Sequence, residues 1–261
     1  MYISTTYSTN TLLKELLAKG EWREGERFLY TAFQTAGRGQ AGNGWESEKG
    51  KNLLCSVLMS YQPSAISCQP FYLNVLVSVA VHKVIRSLLF ERSGLCSLSE
   101  AVSIKWPNDI YYGDKKIAGI LIENAILGSE VTYSIAGIGL NVNQTTFLSS
   151  APNPVSLKLI SGKETDIDAL MQALMAQIEA LEATDEAQVW AYYRDHLYRR
   201  EGFWPFVERE VSTAPTMNAE KGAEGIFLVK IENVRTNGEI ELRDQNGKLR
   251  IYHFKQVRYV L

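Results

Sequence analysis

Apolar residues recur at helical spacing in four stretches of the chain. The first follows the polar run Ser8-Thr9-Asn10 and ends at Gly20, which is typical of a short capped helix. Residues 70–90 show the same spacing. The clearest pattern covers residues 167–181, whose apolar positions follow the helical period of about 3.6. A last helix is predicted from Asp185 to about Arg200.

Shorter apolar stretches predict β-strands at Phe28–Phe33, Leu53–Met59, Val102–Trp106, Ile117–Ile122 and Val131–Leu140. Turns at Gly113-Asp114 and Gly128-Ser129 separate the last three, which we expect to form one meander. Residues 34–52 contain five glycines and few large apolar residues. They predict a long loop between the first two strands.

The pattern changes after Gly202. Short strands are interrupted there by Asn237-Gly238 and Asn246-Gly247, dipeptides favoured in two-residue type I′ hairpins. We therefore predict an α+β protein with two domains. Residues 1–202 would form a large domain of helices packed on a mixed sheet, and residues 203–261 a small β-barrel.

Composition narrows the classes of protein that fit. The net charge is −2 on 27 basic and 29 acidic residues, so no overall field attracts nucleic acid or an anionic membrane, and any anion site must be local. Apolar runs such as residues 75–81 are short of the roughly 20 residues that a membrane span needs. With no recognisable signal peptide, we expect a soluble cytoplasmic protein. Cys55, Cys68 and Cys96 have neither disulfide nor zinc spacing.

The segment Gln34–Trp45 is the first candidate for chemistry. Residues 37–44 place four glycines around Arg38, so several backbone N–H groups are free to surround a phosphate or carboxylate. Arg38 could pair with an anion or hold the loop shape, and Trp45 offers a face for a base. A flexible surface loop is an equally open alternative. The literal GxGxxG at residues 37–42 opens no helix, so it is no dinucleotide fingerprint.

The second candidate is the segment from Lys105 to Gly119. The strand Val102–Trp106 ends at a proline and leaves Lys105, Asn108 and Asp109 beside a short hairpin that returns through Lys116. We therefore expect the two lysines, the amide and the carboxylate to converge. A lysine can neutralise a phosphate or stabilise charge on a carbonyl oxygen. Asp109 could orient a magnesium-bound water or an amine. Lys115 is expected to be a solvated hairpin tip.

A third segment, Gly137–Asn143, ends a predicted strand with two glycines and two asparagines. Asn141 could meet the edge of adenine. From the residues alone, a β-bulge with asparagine capping is favoured.

These segments resemble the biotin–protein ligase family in order and spacing. The matching residues are Ser8-Thr9-Asn10, Gln34–Gly39, Lys105–Asp109, Lys116–Gly119 and Gly137–Asn141. The resemblance implies a mixed-sheet catalytic domain of the class II synthetase and biotin ligase type, followed by an SH3-like barrel. It implies ATP and Mg²⁺ as nucleotide and metal, biotin as substrate, and a biotin carboxyl carrier domain as partner.

The resemblance also implies residue roles. Biotin would be bound by Ser8, Thr9, Asn10, Gln34, Gly37, Arg38, Gly39, Lys116 and Gly119. ATP or the adenylate would be bound by Gly39, Gln40, Asn43, Trp45, Asn108, Lys116 and Asn141. Lys116, Lys105, Asp109 and Arg38 would be catalytic, with Lys116 contacting first the biotin carboxylate and then the anhydride oxygens.

Two departures from the family pattern lead to expectations. Gln40, Ala41 and Asn43 stand where related sequences often carry basic residues, which predicts faster loss of the adenylate. The Ser-Thr-Asn element begins at residue 8, which leaves no room for the winged helix of repressor members, so we expect no operator binding. Lipoate ligases and octanoyl transferases are the nearest enzymatic alternatives, and a biotin-binding or docking module without turnover is another. Both a monomer and a homodimer are compatible with the sequence.

Overall fold

The computed structural model describes residues 1–60, 71–94, 96–127, 130–148, 153–209 and 225–261. Its helices are α1 Thr9–Ala18, α2 Tyr72–Ser93, α3 Cys96–Glu100, α4 Leu157–Ser161, α5 Ile167–Glu182 and α6 Glu186–Asp195. Its strands are β1 Tyr2–Ile3, β2 Phe28–Thr31, β3 Asn52–Ser60, β4 Val102–Lys105, β5 Asp109–Tyr112, β6 Lys115–Leu127, β7 Glu130–Asn141, β8 Trp204–Glu208, β9 Ile226–Val234, β10 Ile240–Asp244, β11 Leu249–Tyr252 and β12 Val257–Tyr259.

The larger sheet has seven strands in the order β1-β2-β3-β7-β6-β5-β4. It is mixed, since β1 pairs parallel to β2 while the other neighbours are antiparallel. The predicted meander is confirmed, with β5 as an additional strand that the sequence pattern did not separate. Because Pro107 lies between β4 and β5, these two strands are short and turn back on each other.

The two faces of this sheet differ in what covers them. Alternate residues of β3 and β7, such as Val57 and Ile138, point into the main apolar core with α2 and α5. The residues between them include Ser56, Gly137 and Gly139, and these face α1 or the loop after β2. The period of two along the strands therefore separates a packed face from a polar, glycine-rich face.

Helix α2 is long and apolar enough to cross a membrane by length and composition, although its uninterrupted apolar run is short. In the structure, 67% of its most apolar window is buried. It contacts α5, α6 and several strands of the large sheet. Its apolar surface is thus used in the core.

Several predicted boundaries shift because the backbone finds other partners. Strand β2 ends at Thr31 and not Phe33, since the following residues pair with the segment around Thr6. Helix α6 ends at Asp195 because the next residues pair with β4, where Ile104 N–H donates to His196 O and Tyr198 N–H donates to Ile104 O. The short helices α3 and α4 were not predicted. The turn at Gly128-Ser129, Pro70 and Cys68 lie outside the described residues.

The first helix also differs from its prediction at the cap. Ser8 occupies the N-cap position of α1, but its side chain makes no capping hydrogen bond. At α5, by contrast, the Asp166 side chain accepts from the N–H groups of Asp168 and Ala169. Tertiary partners, described below, orient the start of α1.

The smaller sheet has five antiparallel strands in the order β11-β10-β9-β8-β12. The predicted hairpins are confirmed, but the predicted type I′ turns are wrong. Gly238 and Gly247 have φ of 92° and 83°, whereas neither Asn237 nor Asn246 has a positive φ. Each loop therefore has three residues with glycine last, a form that needs one left-handed residue and not two.

Hydrogen bonds hold the β9–β10 hairpin to the turn after β4 and to helix α6. Trp106 Nε1 donates to Gly238 O at 3.0 Å, and the Arg194 guanidinium donates to Val234 O through Nε at 3.1 Å and a terminal nitrogen at 3.0 Å. Trp106 also meets Phe254 edge to face, with 5.9 Å between ring centroids. The end of the chain is thereby held beside the turn that carries Pro107.

Candidate functional site

A cavity of about 1030 Å³ lies on the glycine-rich face of the large sheet. The loop after β2, the β4–β6 segment and the last residues of the chain surround it. Among the predicted site residues, those that line it are Ser8, Thr9, Asn10, Gln34, Gly37, Arg38, Gly39, Gln40, Asn43, Trp45, Lys105, Asp109, Lys116, Gly119 and Asn141. Asn108 is the one predicted site residue that does not.

Hydroxyl and amide groups form one end of the cavity. Gln34 Oε1 accepts hydrogen bonds from Thr9 N at 2.8 Å and Thr9 Oγ1 at 3.1 Å. Ser56, fully buried on β3, lies 2.7 Å from Thr9 Oγ1 and 2.6 Å from Asn10 Oδ1. The tight packing of α1 on β7 requires a glycine at position 137, because a Cβ there would overlap the Asn10 amide.

The loop after β2 is folded on itself. Gly39 N–H donates to Asn43 O at 2.6 Å, and Trp45 N–H donates to Gly37 O at 2.9 Å. Gly42 has φ of 82°, a left-handed conformation that a side chain would strain. Arg38 donates to Glu123 Oε2 at 2.8 Å, so in this structure it holds the loop to β6.

Trp45 covers the floor of the cavity. Its indole packs on two strand glycines, and a Cβ at Gly119 would lie 2.8 Å from the ring while one at Gly139 would overlap it. The indole nitrogen is buried with no hydrogen-bond partner among the described residues. The two glycines therefore make room for a flat aromatic group against the sheet.

Lys105, Lys116 and Asp109 line the cavity together, but Lys116 is the lysine that pairs with the carboxylate. Lys116 Nζ lies 2.7 Å from Asp109 Oδ1. Lys105 Nζ donates to Tyr111 OH at 3.0 Å and lies 4.7 Å and 5.3 Å from the ring centroids of Tyr111 and Tyr259. Desolvation lowers the pKa of Lys105 to about 8, an effect that Asp109 opposes and Lys116 and Arg199 reinforce.

The asparagines differ from the sequence interpretation. Asn108 is 1% exposed, donates to Asn74 Oδ1 at 2.6 Å and accepts from Gln40 Nε2 at 2.8 Å, so it lies behind the loop. Asn141 lines the cavity, and its Nδ2 donates to Val155 O at 3.1 Å. The favoured bulge is absent from this part of β7, because the register with β3 runs unbroken to Asn141.

Sequence reasoning missed several lining residues. Phe254, Val257 and Tyr259 come from the end of the chain, and nothing near them in sequence marks a site. Ser56 and Glu123, which do not line the cavity but contact the lining residues Asn10 and Arg38, were also missed. A serine and a glutamate within apolar strands were the available signals.

The sequence model of the Biotin/lipoate A/B protein ligase family matches residues 2–141, which contain the loop, Lys105, Lys116 and the strand glycines Gly119, Gly137 and Gly139. The chain belongs to this family. The resemblance of the five motif segments is thus confirmed for the region that carries them.

Relatives within the family are similar over most of this chain. The bifunctional ligase/repressor BirA of Escherichia coli (strain K12) is 27% identical over 204 residues, which are 77% of this chain and 55% of that protein. BirA of Bacillus spizizenii is 30% identical over 227 residues, which are 84% of this chain and 62% of that protein. The chain therefore spans between 55% and 62% of the length of these two relatives.

A solved member of the family has the same fold. The structure of biotin protein ligase from Aquifex aeolicus in complex with biotin and ATP has a TM-score of 0.72 and 20% identity, covering 100% of this chain and 98% of that chain. The predicted α+β architecture of a mixed sheet with packed helices is confirmed.

Proposed function

We propose that this protein is an ATP-dependent biotin–protein ligase. It would convert biotin and ATP to biotinyl-5′-adenylate and pyrophosphate, and then transfer biotin to a lysine of a biotin carboxyl carrier domain. The observation that carries the proposal is the Lys116–Asp109 pair at 2.7 Å in the cavity that Lys105 also lines. The hydroxyl and amide groups of Thr9 and Gln34 line the same cavity. Membership of the biotin/lipoate ligase family supports it.

Chemistry explains why such a site needs cations. A carboxylate is poorly electrophilic, so it must become a mixed anhydride before an amine can attack it. In the first step a biotin carboxylate oxygen attacks the α-phosphorus of ATP, and the bond to pyrophosphate breaks. Lys116 would hold the carboxylate, while Lys105 and Arg38 would stabilise negative charge on the phosphate oxygens.

In the second step the carrier lysine attacks the anhydride carbonyl, and the bond from the carbonyl carbon to the phosphate oxygen breaks to release AMP. Lys116 would stabilise the carbonyl oxygen as it becomes negative. Asp109 would orient the amine and accept the proton that the amine loses as the amide forms. The folded loop, with Trp45 over the sheet, would keep water from the anhydride.

The remaining site residues divide between the two substrates. Ser8, Thr9, Asn10, Gln34, Gly37, Gly39 and Gly119 would bind biotin. Gly39, Gln40, Asn43, Trp45 and Asn141 would bind ATP, with Asn108 acting from behind the loop through Gln40. Donors and acceptors on Thr9 and Gln34 suit a ureido ring, which offers both.

Magnesium would enter with ATP. Of the described residues lining the cavity, Asp109 and Glu46 carry carboxylates, and the described chain shows no group of three potential metal ligands. Mg²⁺ in nucleotide sites is held by one or two carboxylates together with substrate phosphates and water. This donor set fits that arrangement, with Asp109 as the protein ligand.

The rest of the sequence interpretation extends this proposal. Residues 1–202 would be the catalytic domain and residues 203–261 an SH3-like barrel, an organisation supported by two sheets whose strands lie within residues 2–141 and 204–259. The enzyme would act in the cytoplasm as a monomer or homodimer, without binding nucleic acid.

One incubation tests the activity. The protein, ATP, Mg²⁺ and biotin are mixed with a carrier domain, and intact mass should show the addition of one biotinyl group. Pyrophosphate release in parallel reactions with biotin, lipoate and octanoate separates this function from its nearest alternative, since the family includes lipoate ligases. Release with lipoate or octanoate but not biotin would refute the proposal.

A further inference from the structure

The carboxylate of Glu123 is the centre of a hydrogen-bond cluster beside the cavity. Lys14 Nζ lies 2.7 Å from its Oε1, while Asn10 Nδ2 and the Arg38 guanidinium lie 2.7 Å and 2.8 Å from its Oε2. The Glu123 side chain is 18% exposed and does not line the cavity. None of the catalytic roles above uses it.

The three donors come from two separate parts of the chain. Asn10 and Lys14 lie one helical turn apart on α1, so both face the same point of β6. Arg38 comes from the glycine-rich loop, 85 residues away from Glu123 in sequence. One carboxylate therefore ties the loop and the start of α1 to the same strand.

The connection continues from Asn10 to the polar end of the cavity. Asn10 Oδ1 lies 2.6 Å from Ser56 Oγ, which also lies 2.7 Å from Thr9 Oγ1, and Thr9 donates to Gln34. The Ser56 hydroxyl has one proton, so it donates to only one of these two oxygens at a time. Its orientation depends on how Asn10 is held, and Glu123 accepts from the opposite end of that amide.

The cluster needs a negative charge at its centre. Burial alone would raise the pKa of Glu123, but hydrogen bonds from Lys14 and Asn10 and the charges of Lys14 and Arg38 lower it overall. Without that charge, the two cations would converge on a group with no negative charge to balance theirs. Gln40 Nε2 also holds the loop, through Asn108 Oδ1 at 2.8 Å and Ile120 O at 3.3 Å, but neither of these contacts involves a charged acceptor.

We infer that Glu123 is a positioning residue that holds the Arg38 loop closed over the cavity and couples this closure to the Thr9–Gln34 end. It touches no substrate and acts through Arg38 and Asn10. As applied to retention of the acyl-adenylate, the inference rests on the proposed function. As applied to loop closure, it does not.

Loop closure is tested by limited trypsin digestion of the free protein. Trypsin cleaves after arginine, and cleavage at Arg38–Gly39 requires the loop to leave the sheet. In Glu123→Gln the rate of this cleavage should rise about fivefold, the loss expected for a partly exposed hydrogen bond to a charged group. Mass spectrometry identifies the bond that is cut.

The matched control breaks another arginine–glutamate pair. Glu182 accepts from Arg27 at 2.6 Å and 2.8 Å, with side-chain exposures of 23% and 33%, and neither residue lines the cavity. Glu182→Gln should leave cleavage at Arg38 unchanged. Equal cleavage rates at Arg38 in the wild type, Glu123→Gln and Glu182→Gln overturn the inference.

Retention is tested by loading the protein with labelled biotinyl-adenylate and chasing with unlabelled adenylate. Glu123→Gln should release the label about fivefold faster, and the double variant Arg38→Gln/Glu123→Gln should match Arg38→Gln within about twofold. Additive effects would mean that Glu123 acts by general destabilisation and not through Arg38. If the wild type makes no adenylate from biotin and ATP, the proposed function fails, whereas the trypsin result still decides the role of Glu123 in closure.

Discussion

At the scale of single residues, Lys105 and Lys116 are the two lysines predicted to be catalytic, and Lys116, not Lys105, pairs with Asp109. Lys105 instead lies against the rings of Tyr111 and Tyr259. An ion pair with Asp109 therefore holds Lys116 in place, whereas the tyrosine rings hold Lys105. This difference leads to separate predictions for the two.

Replacing Lys116 with alanine should reduce adenylate formation about 100-fold or more, the loss typical of removing a group that stabilises transition-state charge. Biotin binding should change little, because Thr9, Asn10 and Gln34 remain. Pyrophosphate release and biotin calorimetry measure the two effects. Lys115→Ala is the matched control, since Lys115 is adjacent, exposed and outside the cavity. Full turnover by Lys116→Ala would refute the catalytic assignment and favour a binding module.

Lys105 should impose an upper pH limit on ATP use. Its pKa of about 8 is below the ordinary lysine value, so the cation that attracts phosphate is present below pH 8 and disappears as the pH rises through that value. The ratio kcat/KM for ATP, which reports the free enzyme, should fall above that pH. In Lys105→Arg the falling limb should move to higher pH, because a guanidinium stays charged. Identical profiles would mean that another group titrates.

At the scale of elements, the strand glycines and the loop determine the cavity floor. Gly119 and Gly139 are cross-strand neighbours on β6 and β7, and together they accept the Trp45 indole. The sequence marked both segments, because their glycines interrupt apolar strands. It could not show that the loop tryptophan covers them, since that requires the β6–β7 register and the path of the loop.

The packing of Trp45 on Gly139 predicts the effect of adding a methyl group at that glycine. Gly139→Ala should destabilise the protein by about 1–3 kcal/mol, as overpacking does, because the new Cβ overlaps the indole. In a Trp45→Ala background the same change should cost far less. Urea unfolding measures both. Gly44→Ala is the control, because Gly44 precedes Trp45 in the loop after β2 and the atom nearest to an added Cβ lies 3.8 Å away. An equal cost in both backgrounds would contradict the Trp45 placement.

At the scale of the whole molecule, buried polar contacts of one histidine join helices α2 and α6 to the large sheet. His82 on α2 lies 3.1 Å from Tyr192 OH on α6 and 3.0 Å from Val102 O on β4. Desolvation lowers the pKa of His82 to about 3, with Lys83, Arg86 and His196 adding to the effect and the Val102 hydrogen bond opposing it. The folded protein therefore holds this ring neutral.

This ring should make stability depend on pH. Between the unfolded value of about 6.5 and the folded value of about 3, the unfolded chain binds a proton at His82 that the folded chain does not. The contribution of the neutral ring to the free energy of unfolding is present above pH 6.5. It is lost as the pH falls, by up to about 1.4 kcal/mol per pH unit. Urea unfolding from pH 7 to 4.5 should show a shallower pH slope for His82→Gln. Parallel slopes would exclude His82 as the source.

The sequence by itself determined the features that neighbouring residues encode. Periodicity, turn chemistry and motif spacing are local, so a short stretch of sequence is enough to recognise them. Examples are the helical period of residues 167–181, the glycine run around Arg38 and the Lys105–Asp109 segment. The elements and most of the candidate site residues follow from them.

Only the tertiary structure decided the contacts that join those pieces. Arg38 meets Glu123 across 85 residues, Asn10 meets Leu121 across 111, and Tyr259 closes over Lys105 from the end of the chain. Strand register and the position of the small sheet fix these pairs, and no local pattern carries that information. The same reason explains why Asn108 lies behind the loop and why Ser56 and Glu123 were missed.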